Sequence, residues 1–246
     1  MRILGIDIGG SALKGAPVDT RTGRLLAERH RVEIESPCPP AQAAAAAREI
    51  ARHFRWRGPV GIGFPGVMQR GRVKFLGNLG QEWVGVNAEK LFARATGCGV
   101  TVINDADAAG LAEMRFGAGR GHRGSVLLLT AGTGIGSALF HDGRLFPNTE
   151  FGHVPVRGRS GEKFFAAAVK TRRHLTWKQW AGGFGGYVRL LERLLWPELI
   201  IIGGGVSAKS GKWFKYLRLR TRVVPAKLHN EAGIVGAALA GSGGRR

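Results

Sequence analysis

The chain has 246 residues, 44% of them hydrophobic, which is enough to bury one large core or two small ones. Its 37 Lys and Arg against 17 Asp and Glu give a formal net charge of +20, which predicts an anionic partner: nucleic acid, an anionic membrane surface or a phosphate-rich substrate. Two cysteines, Cys38 and Cys98, are too few for a disulfide framework or a four-cysteine zinc site, and no apolar run reaches the roughly 18 residues of a membrane span. We therefore expect a soluble, cytoplasmic protein without a membrane segment.

The first half of the chain is predicted to begin with three strands and to continue with alternating helices and strands. The three opening strands are rich in Ile, Leu and Val, and an alanine-rich helix with Pro40 in its first turn follows them. The predicted strands are 2–8, 13–18, 24–32, 59–64 and 99–104, and the predicted helices are 40–54, 87–96 and 106–116. This order is typical of an α/β layer structure.

The second half repeats the opening design. The segment VLLLTAGTGIGSALFHDGRLF (126–146) again reads as strand, glycine turn, strand, short turn and strand, and its GRLF at Gly143 matches GRLL at Gly23. Helices are predicted at about 161–174, 176–196 and 231–241, with a strand at 198–203. The repeat predicts two related α/β units facing each other across a cleft.

Three glycine turns follow apolar strands and are candidates for phosphate binding. Without side chains, glycines let backbone N–H groups wrap phosphate oxygens, and neighbouring hydroxyls add donors. The alternative is that tight turns need glycine only for positive φ. The candidate residues are Gly9, Gly10 and Ser11 in the first turn, Gly132, Thr133 and Gly134 in the second, and Gly203, Gly204 and Gly205 in the third.

Asp7 ends the first strand at the first of these turns. A carboxylate beside bound phosphate needs a bridging cation, and Mg²⁺ takes one or two carboxylates together with phosphate oxygens and water. The alternative is a purely structural aspartate that stabilises an Asx-turn. We predict that Asp7 serves Mg²⁺, directly or through water.

Six blocks of sequence together resemble the ROK family of sugar kinases, and most closely its polyphosphate/ATP glucokinase branch. The blocks are GIDIGGSALKG (5–15), NDADAAGLAE (104–113), LTAGTGIGSALF (129–140), PNTEFGH (147–153), IIGGGVS (201–207) and NEAGIVGAAL (230–239). The resemblance implies an α/β, two-lobed, actin-like (ribonuclease H-like) fold with a cleft between the lobes. The expected lobes are 1–105, completed by the C-terminal helix at 230–246, and 106–229.

The resemblance also implies a reaction, the formation of glucose 6-phosphate with inorganic polyphosphate, ATP or both as donor, and it assigns residues to it. Asp105, at a strand–helix junction, is the candidate general base, with Asn104 beside it for neighbouring sugar hydroxyls. Capping of helix 106–116 by Asp105 or Asp107 is the structural alternative. Further sugar-binding candidates are Gly66, Asn78, Glu150, His153 and Glu162, and Lys14 is a candidate on the phosphate side.

Alternatives to a glucokinase are a kinase for another hexose, such as mannose or fructose, and a sugar-responsive nucleic-acid-binding regulator. Only six residues precede Asp7, so we expect no DNA-binding segment ahead of the core and no nucleic-acid partner.

Zinc is not expected, because no cysteine follows Cys98. Family relatives imply a homodimer. Basic residues cluster at 115–123, 156–159, 170–174 and 209–222, either as a track for polyphosphate or as a generally basic solvated surface.

Overall fold

The computed structural model describes residues 1–76 and 79–243. The chain divides into two compact units, 1–112 with 231–246, and 113–230. The division after Ala112 falls inside the helix that the sequence analysis assigned to the second lobe. Each unit has its own sheet and its own hydrophobic core.

The first unit is built on a sheet whose opening three strands form an antiparallel meander. The elements in chain order are β1 (Arg2–Ile8), β2 (Ala12–Asp19), β3 (Arg24–Leu25), β4 (His30–Glu33), α1 (Pro40–His53), β5 (Val60–Phe64), β6 (Gly66–Gln69), β7 (Arg72–Leu76), α2 (Ala88–Thr96), β8 (Val100–Asn104) and α3 (Asp105–Phe116). The strand order is β3-β2-β1-β5-β8, with β4 also paired to β2, and β1, β5 and β8 run parallel. The carboxyl ends of these three strands therefore lie at one edge.

The second unit repeats this plan. Its elements are β9 (Ser125–Ala131), β10 (Ile135–His141), β11 (Arg144–Phe146), β12 (Pro155–Val156), β13 (Arg159–Ser160), α4 (Glu162–Phe165), α5 (Ala167–Arg172), α6 (Trp177–Leu195), β14 (Leu199–Gly203) and β15 (Arg222–Pro225). The strand order β11-β10-β9-β14-β15, with β9, β14 and β15 parallel, matches that of the first sheet. The predicted internal repeat is thus visible in the topology.

The last helix, α7 (Ala232–Gly241), returns to the first unit and packs on β1 and β5. The close approach requires glycine in the strands, because a Cβ on Gly61 would overlap the backbone of Ala237. Ile234, Val235, Ala237 and Ala238 are fully buried in this contact. The small residues of α7 therefore serve main-chain packing against the sheet.

The structure corrects the predicted elements in three places. The strand predicted at 24–32 is two strands, β3 and β4, because residues 26–29 leave the sheet. The helix predicted at 161–174 is broken into α4 and α5 at Ala166, whose ψ of 155° is extended. The hairpin of β6 and β7 and the edge strand β15 were not predicted, since short strands of mixed polarity carry little periodic signal. None of the described helices has the length and apolar character needed to cross a membrane.

Candidate functional site

Two carboxylates lie at the carboxyl ends of the parallel strands in the first unit. Asp7 of β1 is in register with Gly63 of β5, and β5 pairs in turn with β8, which ends immediately before Asp105. A Cβ placed on Gly63 would be 3.6 Å from the Asp7 Oδ1 and 3.8 Å from the Cα of Asp105. The structure therefore brings Asp7 and Asp105 to either side of Gly63, as expected for side chains that share a strand edge.

The Asp7 carboxylate lies beneath the start of α7. A Cβ on Gly233 would be 2.7–2.9 Å from the three carboxyl atoms of Asp7, so a side chain at this position would displace that carboxylate. Burial raises the pKa of Asp7, and the nearby Lys14 partly offsets this effect by lowering it. Gly233 was missed by the sequence analysis, although it lies in the NEAGIVGAAL block that was quoted.

The first glycine turn joins β1 to β2 beside Asp7. The Gly9 N–H donates to the Ala12 carbonyl over 2.9 Å, which closes the turn, and Gly10 and Ser11 are exposed. Lys14 is opposite Asp7 in the antiparallel ladder. This arrangement leaves Gly10 and Ser11 accessible to a ligand next to the Asp7 carboxylate.

Asn104 is buried and holds the start of α3 in place. Its Oδ1 accepts from the N–H groups of Ala106 at 2.9 Å and Asp107 at 3.0 Å, and its Nδ2 donates to the Gly66 carbonyl at 3.2 Å. Asn104 therefore caps the helix, a role that the sequence analysis had weighed for Asp105 or Asp107. Asp105 Oδ1 accepts from Ala106 N–H at 2.7 Å. Asn78 lies outside the described residues.

In the second unit, the two remaining glycine turns meet at one edge of the sheet. Thr130 of β9 is in register with Gly203 of β14, so the turn at Gly132–Gly134 and the turn at Gly203–Gly205 follow the carboxyl ends of neighbouring parallel strands. Thr133, Gly204 and Gly205 are exposed. Main-chain N–H groups at such an edge are suited to phosphate oxygens.

A buried hydroxyl supports the third turn. Ser207 Oγ donates to the Gly204 carbonyl at 2.8 Å and lies 3.4 Å from Nδ1 of the exposed His229. Neither Ser207 nor His229 was predicted as a site residue, because they are 22 positions apart and only the fold brings them together. They set the local structure of the turn that follows β14.

Three predicted sugar-binding side chains lie together in the second unit. His153 Nε2 is 3.7 Å from Glu150 Oε2, and its Nδ1 is 3.2 Å from Ser160 Oγ. Burial, together with the nearby negative charge of Glu162, raises the pKa of Glu150 to about 7. A carboxylate and an imidazole at this separation offer acceptors and a donor for vicinal hydroxyls.

Glu162 connects this cluster to the second glycine turn. Its Oε2 accepts from the Ile135 N–H at 3.2 Å, and it lies against Gly134. The Ala168 N–H donates to the Gly132 carbonyl at 3.0 Å. Hydrogen bonds therefore connect both ends of segment 162–168 to the second glycine turn. The sequence analysis placed Glu162 on the sugar side and did not predict this link.

The loop that carries Glu150 and His153 is fixed by side chains that the sequence analysis missed. Ser137 Oγ donates to the Thr149 carbonyl at 2.8 Å and accepts from the Phe151 N–H at 3.0 Å. The Tyr187 hydroxyl donates to the Phe151 carbonyl. Burial and then the charge of Glu162 raise the pKa of Tyr187, which keeps this donor protonated.

Within the described ranges, no group of three or more His, Cys, Asp or Glu side chains is arranged to share a metal ion.

The comparisons with known proteins agree with one another. A family model described as "ROK family" matches residues 3–174. The chain is 47% identical over 237 residues to a polyphosphate glucokinase of Mycobacterium tuberculosis, covering 96% of this chain and 89% of that relative. The inorganic polyphosphate/ATP-glucomannokinase of Arthrobacter sp. strain KM is 43% identical, with a TM-score of 0.94 over 98% of both chains. A ROK family glucokinase of Streptomyces griseus in complex with glucose and AMPPNP is 25% identical, with a TM-score of 0.82 over 99% of this chain and 100% of that one.

Proposed function

Because the chain belongs to the ROK family, we propose that it is a hexokinase-type phosphotransferase that makes glucose 6-phosphate, with inorganic polyphosphate or ATP as the donor. The observation that carries this proposal is the pair of strand-end carboxylates, Asp7 and Asp105, on either side of Gly63. The donor and the sugar are proposed from the relatives, since proteins named polyphosphate glucokinase and polyphosphate/ATP-glucomannokinase match nearly the whole chain.

Asp105 is the proposed general base. Its carboxylate would take the proton of the sugar hydroxyl as that oxygen attacks phosphorus in line, while the bond from phosphorus to the leaving phosphate oxygen breaks. Asn104 supports this role by fixing the helix start on which Asp105 lies. A base that the fold holds in place loses little entropy when it meets the sugar hydroxyl, which favours proton transfer.

The proposed sugar contacts are Glu150, His153 and Glu162, together with the predicted Gly66 and Asn78. Glu150 and His153 lie within 3.7 Å of each other on a loop that is held by buried hydrogen bonds. The name of the Arthrobacter enzyme supports mannose as a second acceptor. Recognition through a carboxylate and an imidazole is compatible with either hexose, because both present vicinal hydroxyls.

The proposed donor contacts are the main-chain N–H groups of the three glycine turns, with Ser11, Lys14 and Thr133 beside them. The site fits Mg²⁺ because the Asp7 carboxylate lies near the end of β1, next to the exposed Gly10 and Ser11 of the first glycine turn, where a cation would offset the desolvation that raises its pKa. Bound Mg²⁺ would neutralise charge on the transferring phosphoryl group.

The homodimeric state and the cytoplasmic location of the protein stay predictions.

The test of the proposed base is Asp105→Asn, compared with Asp107→Asn in the same first helical turn. With glucose, Mg²⁺ and either donor, Asp105→Asn should lower kcat about 10²–10⁴-fold, the usual contribution of a general base. Asp107→Asn controls for the loss of one charge at the helix start and should retain most of the activity. Equal losses in both variants would assign Asp105 to helix electrostatics instead.

A further inference from the structure

Five arginines form a cluster on one surface of the second unit, far from the glycine turns. Three of them, Arg218, Arg220 and Arg222, are exposed and alternate with the partly buried Leu219 and Thr221 in the segment that leads into β15. We call these three residues the arginine row, and the chain bends at Arg220 and Thr221 before β15 begins at Arg222. Arg189, which contacts this segment, and Arg193, one turn further along α6 on the same helix face, complete what we call the arginine cluster.

Hydrogen bonds and a contact with an aromatic ring show that α6 lies next to the arginine row. Arg189 donates from Nε and Nη2 to the Arg218 carbonyl at 3.1 and 2.7 Å. The Arg220 guanidinium lies over the ring of Trp196, 4.3 Å from its centroid, and the Trp196 side chain is 68% exposed. These contacts hold two of the five arginines in defined positions, which reduces the entropy that binding an anion would cost.

The acidic groups nearby are already engaged. Glu192 is 2% exposed and accepts from the N–H groups of Arg220 at 2.9 Å and of Thr221, while its other oxygen is 3.9 Å from Arg220 Nε. Glu198 accepts from the Ser125 N–H at 3.2 Å. Glu192 therefore fixes the backbone of the arginine row from beneath and leaves a positive outer surface.

The position of the cluster relative to the donor turns follows from the strand register. β15 begins at Arg222, which pairs with Leu199 at the start of β14, whereas the turn at Gly203–Gly205 follows the end of β14. Four residues of strand separate the two levels, a distance of about 13 Å. The cluster therefore lies toward the opposite end of the sheet from the donor turns, and one small phosphate compound could not occupy both places.

We propose that the arginine cluster is an anchoring site for long inorganic polyphosphate, separate from the subsite where the phosphoryl group is transferred. Guanidinium groups bind phosphate oxygens in bidentate fashion, and three exposed ones in one short segment suit a polyanion that carries many phosphates. A chain held at this anchor has its remaining length tethered near the donor turns, which raises its effective concentration there. The inference rests on the proposed polyphosphate-dependent activity and adds selectivity for chain length.

The test is the triple variant Arg218→Gln, Arg220→Gln, Arg222→Gln, assayed with long polyphosphate, tripolyphosphate and ATP. Loss of the anchor should raise the KM for long polyphosphate by about tenfold or more, since linked sites gain their affinity from effective concentration. The kcat values, and the KM for tripolyphosphate and ATP, should change less than about twofold because the cluster is distant from the transfer subsite. ATP turnover also reports that the variant is folded.

The matched control removes three exposed arginines from the first unit, Arg48→Gln, Arg52→Gln and Arg57→Gln, and so lowers the net charge by the same amount. It should leave the KM for long polyphosphate unchanged. If the KM for long polyphosphate rises equally in both triple variants, overall charge explains the effect and the proposal is wrong. The proposal is also wrong if the cluster variant raises the KM equally for long polyphosphate, tripolyphosphate and ATP.

Direct binding separates this inference from the proposed function. Fluorescently labelled long polyphosphate should bind the wild type more tightly than the cluster variant even if no donor supports catalysis, in which case only the proposed function fails. A single-stranded oligonucleotide is the competing polyanion. If the cluster variant loses oligonucleotide binding and keeps its polyphosphate affinity, the surface is a nucleic-acid site and the proposal is wrong.

Discussion

Glu150 lies in an environment that changes the pKa of its side chain. Burial and the neighbouring Glu162 raise its pKa from 4.5 to about 7 in the folded protein. The folded state therefore binds this proton more strongly than the unfolded state does. The stabilising contribution is present below pH 4.5 and is lost as pH rises from about 4.5 to about 7.

We predict that Glu150→Gln removes this contribution of Glu150 to the pH dependence of stability. The free energy of unfolding of the wild type, relative to the variant, should fall between pH 5 and pH 8 by roughly 1–2 kcal/mol, after discounting for the partial exposure of the side chain. Urea unfolding of both proteins at the two pH values measures the difference. A difference that is the same at both pH values would mean that Glu150 titrates normally.

The site residues that sequence reasoning predicted lie in short, chemically distinctive blocks. Asp7 and Asp105 lie at the carboxyl ends of strands, Glu150 and His153 lie in the TEFGH loop, and such positions can be read from local pattern. The residues that it missed act at long range. Ser137, Tyr187 and His229 have ordinary sequence surroundings, and only the folded chain brings them to the loops that they support.

At the scale of elements, the prediction succeeded where periodicity was strong and failed where it was weak. Strands such as β5 and β14 are short, fully buried runs of apolar residues and glycine, and α6 has a capping box at Thr176 and Gln179 that marks its start. The break at Ala166 has no such mark, because a run of alanines and phenylalanines suits a continuous helix. There the N–H of Ala168 bonds to Gly132 instead, so tertiary contacts decide the break.

The packing of α7 on β5 provides a prediction about this element. Gly61→Ala places a methyl group against the Ala237 backbone, which cannot move aside as a flexible side chain would. We expect the free energy of unfolding to fall by about 1–3 kcal/mol or more, the usual cost of overpacking. The control is Gly99→Ala, where a Cβ would meet nothing within 4 Å, and its effect should stay within about 0.5 kcal/mol. Equal effects in urea unfolding would contradict the close packing.

At the scale of the whole molecule, net charge predicted a polyanion but could not say which one. The +20 charge is compatible with nucleic acid, a membrane surface or polyphosphate, since each attracts arginine and lysine. The repeated sheet order of the two units and the family match connect that charge to a sugar kinase. The fold was predictable because the repeat and the six sequence blocks agree along the chain, whereas the arginine cluster required the register of β14 and β15.

The central claim is that a phosphoryl group passes from polyphosphate to a hexose rather than to water. The most direct measurement follows the label from uniformly ³²P-labelled polyphosphate in the presence of Mg²⁺ and glucose. We predict that labelled glucose 6-phosphate accumulates in step with glucose consumption, with little labelled inorganic phosphate. Release of labelled phosphate without labelled sugar phosphate, or no transfer from either polyphosphate or ATP, would contradict the account.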